Sequence, residues 1–239
     1  MLFGLFMGDW PILILVPAMI FAFIASSKVK STFNKYNRIN NSSGLTGAQA
    51  ARKILDANGL YHVRVDFVPG ELTDHYDPRE NVLRLSSSTY NSASVAAVGV
   101  AAHEAGHAVQ HATNYGPIRL RMAIIPMTNF GSKLSMPLIL IGMLLTAMSN
   151  YPEIGLFSML AGIVLFSTST LFQLVTLPVE FNASKRALVA LEEHRILSRS
   201  DMPGAKATLS AAAMTYVASV ATTVLEIFRL VLMANRRND

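Results

Sequence analysis

The chain has 239 residues, of which 51% are hydrophobic and only 15% charged, with a net charge of +5 and no cysteine. That apolar excess is too large for a soluble protein of average composition. The missing cysteines exclude a disulfide scaffold, a cysteine nucleophile, thiolate metal sites and iron–sulfur chemistry, so any metal site must be built from His, Asp and Glu.

The first element is the run Trp10–Ser27, which carries no charge. It has no basic segment before it and is followed by Lys28, Lys30 and Lys35, so it reads as a retained anchor rather than a cleaved signal. Residues 28–45 are polar and loop-like, with Asn40-Asn41-Ser42-Ser43-Gly44 as a linker. Thr46 and Gln49 form a capping-box pattern that predicts a short helix stopped at Gly59. From Val63 to Leu85 the period changes to two: Val63, Val65 and Phe67 alternate with Arg64 and Asp66, and Pro69-Gly70 marks a turn. Asn81–Leu85 reads as a further strand at a sheet edge, able to take an extended peptide by strand addition. A long helix opens near Ser92 or Ser94 and ends before Asn114-Tyr115-Gly116-Pro117.

Residues 118–133 are mixed and basic and suggest an approach along a membrane surface. Between Leu134 and Leu177 the one charged side chain is Glu153, so two spans, about 131–149 and 154–177, form a hairpin turning at Asn150-Tyr151-Pro152. Glu180–Leu197 is amphipathic and helical, and Asp201, Pro203 and Gly204 make a turn. The apolar segment 207–233 contains many hydroxyls, Glu226 and Arg229, and reads as a helix packed in the hydrophilic domain or against the hairpin.

All 20 Lys and Arg lie between Lys28 and Lys133 or between Lys185 and Arg237. With one crossing at 10–27 and a hairpin at 134–177, they all fall on one side. The expectation is a multi-pass cell-membrane protein of about three spans, N-terminus outside, with both hydrophilic segments in the cytoplasm. The positive charge is then an orientation signal, and nucleic acid is not an expected partner.

The sharpest motif is His103-Glu104-Ala105-Gly106-His107. On a helix, positions i and i+4 share one face, so both imidazoles can reach one ion. Zn2+ suits such nitrogen donors and keeps a position open for water in catalytic sites. Glu104, beside the first ligand, is placed to act as general base on a zinc-activated water and then to deliver the proton to a leaving amine. A third ligand is needed. His111 lies ~12 Å along the helix axis from His103 and cannot join them. Glu180 is the candidate, because a hairpin returns the chain to the side it left; the alternative is that Glu180 caps the helix it begins. His75, Tyr76, His194 and Tyr216 are candidate donors to a developing oxyanion.

His-Glu-Ala-Gly-His, an apolar hairpin and then Glu180-Phe181-Asn182-Ala183-Ser184 resemble the YugP-type membrane zinc metallopeptidases over nearly the whole chain. More distantly they are similar to the HtpX and CAAX prenyl protease group of gluzincins. That resemblance implies that Glu180 is the third zinc ligand. In the distant relatives an Asp stands where this chain has Ser184, so a hydroxyl replaces a carboxylate behind a histidine, or Glu192 or Glu193 supports the site instead.

The expected fold is an α-helical membrane protein with a small α+β, gluzincin-like cytoplasmic catalytic domain. It divides into an anchor at 1–27, a zinc-peptidase part at 28–130, a transmembrane hairpin at 131–177 and a C-terminal catalytic part at 178–239. The expected function is a zinc-dependent endopeptidase acting on membrane or membrane-proximal proteins, its partners being a protein or peptide substrate and the bilayer. Two rivals stand beside it. One is a non-catalytic, zinc-stabilised scaffold or chaperone-like module, which gives Glu104 no role. The other is an intramembrane site-2-type protease, which needs an Asp-Gly motif that this chain lacks.

Overall fold

The computed structural model describes residues 10–148 and 152–235. In chain order the described residues form a 3-10 turn at Trp10–Ile14, α1 (Leu15–Tyr36), α2 (Gly47–Ala57), β1 (Arg64–Phe67), β2 (His75–Asp77), β3 (Val82–Leu85), α3 (Val95–Ala112), α4 (Gly116–Ala147), α5 (Pro152–Glu193) and α6 (Met202–Asn235). Their contacts separate into two compact units. Met1–Ile24, Leu120–Thr176 and Tyr216–Asp239 make one; Ala25–Arg119 and Leu177–Thr215 make the other.

In the first unit α4 and α5 pack antiparallel, and small residues set the spacing. A Cβ added at Gly142 would lie 2.6 Å from the Gly155 carbonyl oxygen, and one at Gly162 would lie 2.8 Å from that of Ser135. Where helices sit among lipid, such close backbone approach supplies the packing that burial from water supplies elsewhere. Ile139, Met159 and Ile163 form the apolar centre, and Leu230 and Ala234 of α6 join it. The outer faces are apolar too: Phe23, Phe130, Leu144, Phe157 and Val164 are all exposed. Among the described residues, four helices are long and apolar enough to cross a membrane, within Pro11–Tyr36, Gly116–Ala147, Pro152–Glu193 and Met202–Asn235. Three spans were expected; α6 is the additional segment that qualifies.

The second unit has a conventional core, with α2, the sheet, α3 and the 177–215 segments burying Ile54, Leu55, Leu83, Leu85, Val98, Leu191 and Ile196. The capping box at Thr46 is present with both hydrogen bonds, and Gly59 adopts φ +72° just beyond α2. Ser94 is the N-cap of α3, its hydroxyl accepting from the Ala97 N–H. The face of α3 toward the core is almost all alanine, glycine and valine, which lets other elements approach it closely.

Several expectations change. Residues 28–36 are not loop but the last turns of α1, which ends at Tyr36. Residues 118–133 lie inside the continuous α4. The helix does not break where the hairpin was expected to end: α5 passes from one unit to the other between Thr176 and Leu177 and runs through Pro178 to Glu193, with Val179, Ala183, Ala187 and Leu191 continuing one buried helical stripe. The strand at Asn81–Leu85 is not at an edge. The sheet order is β1-β3-β2, so β3 is paired on both sides, parallel to β1 and antiparallel to β2, and takes no added peptide. The reason is its burial: Val82, Leu83 and Leu85 are all in the core. Asn150 and Tyr151 of the expected turn, and the first nine residues of the 1–27 anchor, lie outside the described residues.

Candidate metal centre

Within the second unit, α3 brings His103 and His107 to one side, one turn apart, with ring centroids 4.7 Å from each other and planes at 85°. The middle of α5 brings Glu180 against them. Its Oε2 lies 3.2 Å from His103 Nε2 and 3.4 Å from His107 Nε2. One donor atom from each of the three side chains falls within a 4.8 Å group, a set that could hold a metal ion. Glu180 is 3% exposed and sits in the interior of a 42-residue helix, so the alternative that it merely caps a helix start is overturned.

The crossing of α3 and α5 is close because Gly106 faces Ala183, which is itself fully buried. The far side of each imidazole is also engaged. Ser184 Oγ lies 3.1 Å from His103 Nδ1, and Gln110 Oε1 lies 3.0 Å from His107 Nδ1. With both Nδ1 atoms engaged, the two Nε2 atoms face the Glu180 carboxylate together. Two imidazole nitrogens and a carboxylate oxygen are a donor set that suits Zn2+. Glu192 and Glu193, the alternative supporting acids, are exposed at the end of α5, where the helix has turned them away from the histidines.

Glu104 points to the same place from α3 but is not one of the three. Its Oε2 accepts the Tyr76 backbone N–H at 3.1 Å, so the edge strand β2 holds the carboxylate in position. Burial pushes the Glu104 carboxyl above the ordinary carboxylate range; His103 and His107 pull it part of the way back, and the fields of Glu180 and Asp74 push it up again. Burial opposes charge on His107, but the hydrogen bond with Glu180 and the fields of Glu104 and Glu180 outweigh it and raise its pKa. Asp74 anchors the approach to β2 by accepting from the N–H and hydroxyl of Ser86, each at 2.8 Å.

Of the other sequence candidates, Tyr76 is near through its backbone; its ring lies 5.5 Å from that of His111 and its hydroxyl donates to Asn81. His75 is exposed, with Nδ1 at the Thr73 carbonyl. His194 lines a separate cavity with Lys185, Arg186 and Glu193, and Tyr216 belongs to the other unit. His111 is outside the ligating group, as its distance along the helix predicts. Gln110 and Asn182 were not picked out from sequence. The signal for Gln110 was its place three residues after His107, a neighbouring position on one helix face.

The chain matches the family described as "Putative neutral zinc metallopeptidase" over residues 11–235. It is 46% identical over 222 residues to the "Putative membrane protease YugP" of Bacillus subtilis (strain 168), covering 93% of this chain and 95% of that protein. No solved structure matches it. The chain belongs to this zinc metallopeptidase family.

Proposed function

We propose that the chain is a membrane-anchored zinc endopeptidase in which His103, His107 and Glu180 hold the ion and Glu104 is the general base. The observation that carries this is the convergence of three ligating atoms within 4.8 Å, with a fourth, non-ligating carboxylate fixed beside them. A zinc ion held there supplies a Lewis acid that polarises a scissile carbonyl and makes a neighbouring water easier to deprotonate. The protein's own groups do the proton work. Glu104 takes the proton of the attacking water onto its carboxylate and returns it to the nitrogen of the departing amine. The Tyr76 N–H keeps the carboxylate aimed during both transfers.

Glu104 also separates this reading from a zinc-stabilised scaffold, which needs the three ligands but no second acid beside them. The natural substrates are membrane or membrane-proximal proteins, because α5, the helix that carries Glu180, includes a segment apolar enough to lie in a bilayer. The N-terminus lies outside and the site faces the cytoplasm, following the basic residues. The end of α6 packs with Ile139 and Met159, in the half of the α4–α5 pair nearest its connection, which favours α6 as a fourth crossing.

The test is the full-length protein purified in detergent, with zinc content and peptide cleavage measured together. Glu104→Gln is expected to keep zinc and lose about 10²–10⁴-fold in cleavage; Glu180→Ala is expected to lose zinc. Cleavage that survives Glu104→Gln refutes the general base, and full zinc occupancy in Glu180→Ala removes Glu180 from the ligand set.

A further inference from the structure

We infer that Arg186, Asn182 and Gln110 form a hydrogen-bond relay, its donors converging on Asn182 Oδ1, that fixes which ring nitrogen His107 offers to the metal position. The inference rests on the ligand set proposed above and adds three positioning residues to it.

The direction of the relay follows from which groups can only donate and which can only accept. A guanidinium has no acceptor. Arg186 Nε–H lies 2.8 Å from Asn182 Oδ1, so the oxygen of the Asn182 amide, not its nitrogen, must face that way. The same oxygen accepts from Gln110 Nε2 at 3.0 Å. A carbonyl oxygen only accepts, and the second proton on Gln110 Nε2 goes to the Val179 carbonyl at 2.8 Å. Both amide protons of Gln110 are then assigned, so its oxygen points the other way, 3.0 Å from His107 Nδ1. An acceptor in that position requires a proton on Nδ1. The nitrogen left for a metal is Nε2, the one that faces Glu180.

Burial makes the choice firm. Gln110 is 0% exposed, so no water can take over a lost partner. Turning its amide over would set its oxygen against the Val179 carbonyl and the Asn182 oxygen, leaving two bonds unmade in the interior. The outer end is held as well: the Arg186 guanidinium lies over the Tyr115 ring, 5.8 Å from its centroid. His103 is held differently. The Ser184 hydroxyl can donate or accept, so it orients that ring without choosing its tautomer.

The segment Glu180-Phe181-Asn182-Ala183-Ser184 thereby gains a reason at four of its five positions. Glu180 faces both histidines, Asn182 aims Gln110, Ala183 permits the helix crossing and Ser184 orients His103.

The experiment measures zinc affinity of the full chain in detergent by competition with a chromophoric chelator. Alongside it, the His107 ring N–H is observed in the zinc-free, ¹⁵N-histidine-labelled protein and assigned by its loss in His107→Gln. Gln110→Met is expected to weaken zinc about 10–100-fold, the range for partners behind a metal ligand. Asn182→Leu weakens it in the same direction, whereas Asn182→Asp keeps the acceptor for both Gln110 and Arg186 and retains wild-type affinity. A slowly exchanging Nδ1–H is expected in the wild type and in Asn182→Asp, and is lost in Gln110→Met. Equal zinc affinity in Asn182→Leu and Asn182→Asp overturns the relay, as does a bare Nδ1 in the wild type. If Gln110→Met does not fold, the Asn182 pair still decides. Failure of the metal reading looks different: the wild type takes up no zinc, or His107→Gln binds it as well as wild type. The ring-proton measurement then decides the relay without the metal.

Discussion

A Cβ placed on Gly106 would stand 2.7 Å from the carbonyl oxygen of Ala183, closer than side-chain carbons approach backbone oxygens. That contact sets the distance between the helix bearing His103 and His107 and the helix bearing Glu180. Gly106→Ala gains about 0.8–1.0 kcal/mol of helix propensity, but overpacking costs about 1–3 kcal/mol. Because the strain falls between the ligands, zinc affinity should drop by more than stability does. Gly99→Ala is the control: its Cβ would meet Ala205 at an ordinary 3.5 Å, and it should bind zinc as wild type does. Chelator competition and thermal melting of the two variants read this; equal zinc affinity in both would remove the crossing as the determinant.

The Ser184 hydroxyl lies 3.1 Å from His103 Nδ1. Ser184→Ala should therefore weaken zinc about 10-fold, at the low end for an outer partner of a ligand. Ser184→Asp should restore or exceed the wild-type affinity. Wild-type binding by Ser184→Ala would show that packing alone holds the ring.

Asp201 pins the start of α6 to the 42–44 loop. Its Oδ2 accepts from the Ser42 N–H at 3.0 Å, the Ser42 hydroxyl at 2.8 Å and the Ser198 hydroxyl at 2.7 Å. Burial raises its pKa, but these bonds outweigh it, and the net shift is downward. A carboxyl depressed in the folded state contributes stability that is complete above its unfolded pKa of about 3.9 and is lost as pH falls through the folded value. Asp201→Asn should thus lower the melting temperature at neutral pH, by up to about 1 kcal/mol in stability. The gap to wild type should close as pH drops below about 4. Parallel melting curves of the two proteins across that range test the sign; a gap that widens on acidification contradicts it.

The chain contains no cysteine, so single introduced thiols report topology without background. Asn150→Cys should react with an impermeant maleimide in intact cells, and Lys28→Cys only after permeabilisation. Asp239→Cys should react from outside if α6 crosses, despite the basic Arg236 and Arg237 beside it. Labelling of Lys28→Cys and Asn150→Cys from the same side would undo the orientation. Protection of Asp239→Cys would return the count to three spans.

The local features were legible in the residues. Thr46 and Gln49 announced their helix, Ser94 its cap, and His103, Glu104 and His107 a shared helix face, because each is a pattern within a turn or two. The apolar runs announced membrane-scale helices, though not their ends. Residues 28–36 read as loop since local polarity says nothing of the helix that continues into them. Asn81–Leu85 read as an edge because strand order depends on contacts distant in sequence. The chemistry was legible in the residues: without cysteine, a metal centre here had to be imidazole and carboxylate, and His103 and His107, with Glu104 between them, had the spacing to share an ion. What stands around that pair came from the fold. Asn182, Ser184 and the Tyr76 N–H are brought to it by the crossing of α3 and α5 and by the edge strand, and hydrogen bonds between groups far apart in the chain leave no periodic trace in it.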